Sequence, residues 1–196
     1  MNEMDTKKKI LTIPNILSMI RIVMIPIIVW LYVVEKNYAW AGGLLIFSGV
    51  TDVVDGFIAR HFHMISDLGK VLDPIADKLT QATVLVCLLM RFPLMALPLA
   101  MMVLKETFMS VTGLLVIRRT GVVISADWHG KAATVLLYAT MVIHIFWENI
   151  SESQSALFIG ATMVMIAISF FLYGRDNVNA LKQEKAEREQ NTPAQA

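Results

Sequence analysis

The stretch that decides the fold reads Asp52-Val-Val-Asp55-Gly56-Phe-Ile-Ala59-Arg60 and, after eight residues, Gly69-Lys-Val-Leu-Asp73-Pro-Ile-Ala-Asp77. Its four aspartates lie in two segments that are otherwise apolar. Residues three or four positions apart share one face of a helix, so each pair of aspartates forms an acidic stripe. The short connection between the segments predicts two antiparallel neighbouring helices whose acidic stripes face each other.

Carboxylates without counter-charges repel one another in apolar surroundings and are costly to remove from water. Divalent cations relieve both costs, and hard oxygen ligands suit Mg²⁺ or Mn²⁺. The sequence therefore predicts a divalent-metal site formed by Asp52, Asp55, Asp73 and Asp77. An ion-pair network that only fixes helix packing is disfavoured, because few basic residues lie nearby to balance these charges.

The composition is that of a membrane protein. Of the 196 residues, 56% are hydrophobic and only 17% are charged, which is atypical of a soluble domain. The net charge of +1 gives no indication of nucleic acid binding. Candidate spans, each of about 20 residues, cover 16–34, 39–59, 71–90, 94–117, 132–147 and 156–173. We expect an all-α, polytopic membrane protein with six transmembrane helices and a polar cavity that faces the cytoplasm.

Three regions follow from this pattern. Residues 1–9 form a polar N-terminal segment, 10–175 one six-helix domain, and 176–196 a charged, partly disordered tail. Lysine and arginine concentrate at both termini and in the connections after the second and fourth spans, so the positive-inside rule places these regions in the cytoplasm. The acidic stripes then lie near the cytoplasmic surface, where a water-soluble headgroup reaches them while acyl chains stay in the leaflet.

At the quoted residues the chain resembles the CDP-alcohol phosphatidyltransferase family, whose signature it matches as Asp52-x2-Asp55-Gly56-x2-Ala59-Arg60-x8-Gly69-x3-Asp73-x3-Asp77. The resemblance implies a transferase of the bacterial plasma membrane that moves a phosphatidyl group from CDP-diacylglycerol to an alcohol and releases CMP. It also implies a homodimer that uses two ions of Mg²⁺ or Mn²⁺.

The resemblance assigns roles to the signature residues. Asp52, Asp55 and Asp73 hold the metal ions, and Asp77 is the general base with a share in metal binding. The donor nucleotide lipid is bound by Gly56, Ala59, Arg60 and Gly69, with Asn15 as a further nucleotide contact. The residue types fit these roles, because glycine admits a close ligand and arginine offers phosphate a fork of donors. Gly69 is expected to let the connection turn into the third span.

Basic residues near the cytoplasmic ends of spans 4 and 5 suit an acceptor phosphate, although positive-inside anchoring explains them nearly as well. They are Arg118, Arg119 and Lys131.

Lys105 and Glu106 lie within span 4, where charge is costly. We expect each to pair with a different helix, and Lys105 serves either as a structural tie or as an acceptor contact. Arg21 either snorkels towards the headgroups or belongs to the site.

Two acceptors remain open. The opening residues 12–21 resemble the branch that contains phosphatidylglycerophosphate synthases and CMP-forming cardiolipin synthases, and Lys105-Glu106-x3-Ser110 resembles a segment of the former. Polar residues expected in those enzymes are replaced here by Gly113, Ala133 and Leu137. We expect glycerol 3-phosphate as the acceptor, with phosphatidylglycerol as the alternative.

Two other classes of protein are less consistent with the pattern. A cation transporter would place its carboxylates near the midplane and show an inverted repeat, and neither feature is present in the sequence. A catalytically silent scaffold would not need the intact set of signature residues.

Overall fold

Every described element of the structure, a computed structural model, is helical. The structure describes residues 12–61, 67–120 and 128–191, and within these ranges no strand occurs. The helices, numbered here in chain order, are α1 (Ile13–Val33), α2 (Tyr38–His61), α3 (Asp67–Leu89), α4 (Ala96–Thr120), α5 (Trp128–Phe146) and α6 (Glu152–Asn191), with a short 3₁₀ helix at Pro93–Met95. The all-α prediction is confirmed.

Five segments of these helices are long and apolar enough to cross a membrane: Pro14–Val33, Tyr38–Ile58, Pro93–Arg118, Trp128–Phe146 and Glu152–Ala180. They confirm the prediction of a polytopic membrane protein. Helix α3, the predicted third span, is not among them because its first half carries Asp67, Lys70, Asp73, Asp77 and Lys78. Two of these charges, Asp73 and Asp77, belong to the predicted site. The cytoplasm-facing cavity stays a prediction.

Of the two predicted terminal regions, part of the C-terminal tail is described by the structure. The N-terminal segment, 1–9, lies outside the described residues. Helix α6 continues from its apolar part through Asn191, so the described portion of the predicted tail is helical. Residues 192–196 lie outside the described part of the chain.

The chain divides into two compact units. The first contains the residues up to Ala96 together with Tyr138–Ser155, and the second contains Leu97–Leu137 together with the residues from Ala156 onwards. Helices α5 and α6 therefore contribute to both units. All four signature aspartates belong to the first unit.

Helix α1 is the central packing element of the first unit. Its first turn is capped by the Thr12 side chain, which accepts a hydrogen bond of 3.4 Å from the Asn15 backbone N–H. The helix packs along both α2 and α3. Asn15, Ser18 and Arg21 follow one another at intervals of three, so they form one stripe of α1, and each is at most 1% exposed. Helix α1 thus directs a buried polar stripe into the first unit.

Aromatic and cationic side chains connect several helix ends of the first unit near the C-terminal end of α1. The Arg91 guanidinium donates to the Glu148 carbonyl oxygen at 3.0 Å and lies 4.5 Å from the centre of the Tyr38 ring. Tyr38 in turn packs edge-on against Tyr32, with ring centres 5.1 Å apart. These contacts connect residues at the ends of α1, α2, α3 and α5.

The second unit is held by contacts among α4, α5 and α6. The Asn177 side-chain amide donates to the Thr112 hydroxyl at 2.8 Å, and the rings of Phe108 and Phe170 lie 4.8 Å apart. The nitrogen Nδ1 of His129, a buried residue, lies 3.4 Å from the Ser169 hydroxyl.

Adjacent glycines in α2 differ sharply in their surroundings. A Cβ atom at Gly42 would lie 2.5 Å from the Phe146 ring and 3.0 Å from Ile145, whereas nothing lies within 4 Å of one at Gly43. At Gly42, therefore, side chains of α5 lie so close to α2 that only the hydrogen atom of a glycine fits, whereas Gly43 has open space around it.

Gly42→Leu should destabilise the first unit by about 1–3 kcal/mol, because the added side chain overpacks the contact with α5. The matched variant Gly43→Leu should be neutral or up to about 1 kcal/mol more stable, since leucine favours helix more than glycine does. Thermal unfolding of the detergent-solubilised variants measures both effects. Equal unfolding midpoints for the two variants would contradict this close helix contact.

Candidate active site

The buried Arg21 guanidinium joins the two aspartates of the α2 stripe. Its Nη1 contacts Asp52, and its Nη2 contacts Asp55. Arg21 and Asp55 are 0% and 1% exposed, whereas 39% of the Asp52 side chain is accessible. The snorkelling interpretation of Arg21 is therefore wrong, because the arginine neutralises carboxylates within the unit instead of reaching out of it.

Asp73 of α3 is contacted by another side chain of the α1 stripe. The Ser18 hydroxyl contacts the Asp73 carboxylate and also lies 2.9 Å from the Pro14 carbonyl oxygen. A hydroxyl has one proton, so it donates to only one of these acceptors at a time. The sequence predicts acidic stripes that face each other directly, whereas the structure shows side chains of α1 contacting both stripes.

Asp77 lies one turn beyond Asp73 and accepts several hydrogen bonds. The Gln81 amide nitrogen lies 2.9 Å from Oδ1 and 2.8 Å from Oδ2 of Asp77. The Tyr138 hydroxyl of α5 donates to Oδ1 at 2.9 Å. The Lys78 ammonium group lies 3.5 Å from Oδ2. Three side chains on two helices of the first unit therefore contact this carboxylate: two on α3 and one on α5.

The four carboxylates form one electrostatic cluster. Asp52 interacts with the charges of Asp73 and Asp77, and Asp55 interacts with those of Asp52 and Asp73. Among the described side chains, Arg21 and Lys78 are the cations in ion pairs with these four carboxylates, which leaves a net charge of −2. The cluster thus favours further positive charge.

The fit of a divalent metal rests on the chemistry of these donors. Over the described ranges, no three histidine, cysteine, aspartate or glutamate side chains are arranged to hold a metal ion. The aspartates instead contact Arg21, Ser18, Gln81 and Tyr138. Carboxylate oxygens with residual negative charge are nevertheless the ligands that Mg²⁺ and Mn²⁺ prefer. The metal site stays a prediction that the donor set fits.

The structure describes three of the five predicted donor-binding residues in full. Asn15 is buried one turn before Ser18, and Gly56 is half-buried in α2 next to Asp55. Gly69 is buried within the first turn of α3, so it is helical, and the prediction that it turns the connection is wrong. The side chains of Ala59 and Arg60, in the last turn of α2, lie outside the described residues.

The predicted acceptor-binding residues belong to the second unit. The buried Lys105 ammonium lies 3.2 Å from Glu106 Oε1, so the expectation that each pairs with a different helix is wrong for this contact. Both side chains are long enough to bend towards each other around the helix. Arg118, near the end of α4, and Lys131, in the first turn of α5, are exposed; the Arg119 side chain lies outside the described residues.

A mostly apolar pocket of the second unit contains Gly113, one of the positions where the resemblance implied a polar residue. Nothing within 4 Å would meet a Cβ atom at Gly113. The pocket is lined by Met109, Gly113, Val116, Ile117, Tyr173 and Asn177. None of these side chains is charged, so the pocket offers no cation to an acceptor phosphate.

Three polar contacts of the cluster were not predicted from the sequence: those of Ser18, Gln81 and Tyr138. Ser18 is three residues from both Asn15 and Arg21, and Gln81 is four residues from Asp77, so helical spacing carries a signal for both. Tyr138 is 61 residues from Asp77. No local pattern indicates that contact.

Comparison with known proteins identifies the family of this chain. A sequence model described as CDP-alcohol phosphatidyltransferase matches residues 11–173. A cardiolipin synthase (CMP-forming) of Streptomyces coelicolor is 38% identical over 138 residues, which are 67% of this chain and 64% of the relative. A putative cardiolipin synthase of Mycobacterium tuberculosis is 43% identical over 79 residues, 40% of this chain and 38% of the relative.

A third relative is matched over nearly its whole length. The CDP-diacylglycerol--glycerol-3-phosphate 3-phosphatidyltransferase of Bacillus subtilis is 29% identical over 191 residues, 87% of this chain and 97% of the relative. The family match includes all four aspartates and covers most of the chain, residues 11–173. This protein belongs to the CDP-alcohol phosphatidyltransferase family.

Proposed function

We propose that this protein transfers a phosphatidyl group from CDP-diacylglycerol to an alcohol and releases CMP. The observation that carries this proposal is the cluster in the first unit, where the four signature aspartates interact electrostatically and outnumber the two cations paired with them among the described side chains. A pyrophosphate-containing donor is itself negative, so it requires cations to approach this cluster. Divalent ions held by Asp52, Asp55, Asp73 and Asp77 meet that requirement.

When bound, two Mg²⁺ or Mn²⁺ ions supply positive charge that binds the pyrophosphate and stabilises the negative charge developing on CMP. Asp52, Asp55 and Asp73 are the proposed ligands, with a share from Asp77. Arg21 orients Asp52 and Asp55 through its two amino groups. Ser18 contacts Asp73 and orients it in the same way from α1.

Asp77 is the proposed general base. It accepts the proton of the acceptor hydroxyl while a new bond forms between that oxygen and the phosphorus attached to diacylglycerol. The bond from this phosphorus to the CMP oxygen breaks, and CMP leaves with the electron pair. Such transfers depend mainly on positioning and electrostatic stabilisation. Gln81 contributes to positioning, because its amide nitrogen contacts both oxygens of Asp77.

Glycerol 3-phosphate is the proposed acceptor. This assignment is supported by the Bacillus subtilis relative, which is named for that acceptor and matched over 97% of its length. Arg118 and Lys131 are exposed cations of the second unit and suit its phosphate. We further propose that the enzyme is a homodimer of the bacterial plasma membrane, with both termini and the site facing the cytoplasm.

Phosphatidylglycerol is the second candidate acceptor. The observation in its favour is the uncharged pocket at Gly113, since a lipid acceptor brings apolar surface as well as a phosphate. Ala133 and Leu137, which replace expected polar residues, are buried in the second unit. The Streptomyces coelicolor relative is named as a cardiolipin synthase.

Asp77→Asn should lower kcat by about 10²–10⁴-fold, the range that general-base catalysis contributes. The amide keeps nearly the same volume but does not accept the hydroxyl proton at neutral pH. CMP release by the purified variant measures this effect. Asp176→Asn, which removes the same charge from a pair with Arg175 in α6, should retain full activity. Substantial turnover by Asp77→Asn would remove Asp77 as the base.

The acceptor is tested by CMP release from CDP-diacylglycerol with Mg²⁺ or Mn²⁺ and with each of four alcohols supplied separately. These are glycerol 3-phosphate, phosphatidylglycerol, inositol 1-phosphate and serine. We expect release with glycerol 3-phosphate. Release only with phosphatidylglycerol would overturn this acceptor in favour of the second candidate. No release with any of the four would contradict both acceptor assignments.

A further inference from the structure

We infer that Tyr138 is a positioning residue for Asp77 and that it selects Oδ2 as the oxygen that receives the proton. This inference rests on the proposed role of Asp77 as the base. Tyr138 belongs to α5, in the part of that helix that lies in the first unit. Its hydroxyl donates to Oδ1 of Asp77 at 2.9 Å.

The Tyr138 ring lies beside α2 at Gly49. A Cβ atom at Gly49 would lie 3.7 Å from Cε1 and 3.9 Å from Cδ1 of the ring, which are ordinary van der Waals distances. Gly49 precedes Asp52 by three residues and therefore shares its face of α2. Tyr138 also interacts electrostatically with Asp52 and Arg21. Through its hydrogen bond to Asp77, the hydroxyl contacts the carboxylate cluster.

Among the described side chains, Tyr138 and Lys78 are the groups that distinguish the two oxygens of Asp77. Gln81 does not distinguish them, since its amide nitrogen lies 2.9 Å from Oδ1 and 2.8 Å from Oδ2. Oδ1 accepts from Gln81 and Tyr138, which occupy its two lone pairs. Oδ2 accepts from Gln81 and lies 3.5 Å from the Lys78 ammonium.

This asymmetry has a chemical consequence. A base needs a lone pair directed at the proton it accepts, and Oδ1 has none left when Tyr138 donates to it. Oδ2 keeps the lone pair that its long contact with Lys78 does not fill. Without the Tyr138 hydroxyl, the Gln81 amide and the long contact with Lys78 remain. Because Gln81 contacts both oxygens, the carboxylate then turns more readily, and the orientation that presents Oδ2 is less populated.

Tyr138→Phe tests the hydroxyl while it keeps the ring on Gly49. We expect kcat to fall by about tenfold to a hundredfold, the range that small misplacements of a reacting group produce. The KM for CDP-diacylglycerol should not change if Tyr138 acts through its contact with the base. Tyr32→Phe is the matched control: Tyr32 is a buried tyrosine of the same unit, and its loss should change neither constant.

A double-variant comparison in the metal-free protein provides a readout besides activity. If Tyr138 acts through Asp77, Asp77→Ala and the double variant Asp77→Ala/Tyr138→Phe should have the same thermal unfolding midpoint. Tyr138→Phe alone should lower the midpoint of the otherwise unchanged chain. Equal lowering by Tyr138→Phe in both backgrounds would overturn the inference, because the hydroxyl would then stabilise something other than Asp77.

The outcomes separate this inference from the proposed function. Full turnover by Asp77→Asn removes the base, and with it the premise of the inference. An inactive Asp77→Asn together with wild-type kcat for Tyr138→Phe leaves the proposed function standing and overturns only the role of Tyr138. A rise in KM with unchanged kcat for Tyr138→Phe would also overturn it, since a donor contact and not a positioning role would be lost.

Discussion

The first unit depends on the ion contacts of one buried arginine with two aspartates. Charge within an apolar helix bundle is expensive, and an arginine or carboxylate there persists only when it is paired. Arg21 contacts both Asp52 and Asp55, so one side chain of α1 compensates the acidic stripe of α2. This requirement explains why α1 carries a buried polar stripe and packs along both α2 and α3.

The same arrangement leaves negative charge for function. One arginine and one lysine are paired with four carboxylates among the described side chains, and Asp73 contacts a neutral hydroxyl. A structural network would reach neutrality, whereas a site for cations needs a residual charge of this sign. Asp77 accepts its hydrogen bonds from two neutral groups, the Gln81 amide and the Tyr138 hydroxyl, and lies 3.5 Å from the Lys78 ammonium. The two neutral donors orient this carboxylate, as suits a base.

The spacing of residues in the sequence predicted the features that depend on local structure alone, namely the helices and the acidic stripes. The helices followed from apolar runs, and the family followed from the aspartate signature, which needs only the helical repeat to form stripes. The contacts of Tyr138 and of Gly49 join distant parts of the chain, so no window of sequence contains both partners. The contact between Lys105 and Glu106 was not predicted for another reason. Helical spacing gives the direction in which each side chain leaves the helix, but long side chains bend away from that direction.

Binding of Mn²⁺ to the purified protein, followed by electron paramagnetic resonance, tests the central claim most directly. The account predicts two bound ions per chain whose spins interact, because the carboxylates form one cluster. Asp52→Asn should weaken this binding by about tenfold or more, the scale at which even supporting contacts of metal ligands act, and Asp176→Asn should leave it unchanged. A wild-type chain that binds no Mn²⁺, or an Asp52→Asn chain that binds it as tightly as wild type, would contradict the account.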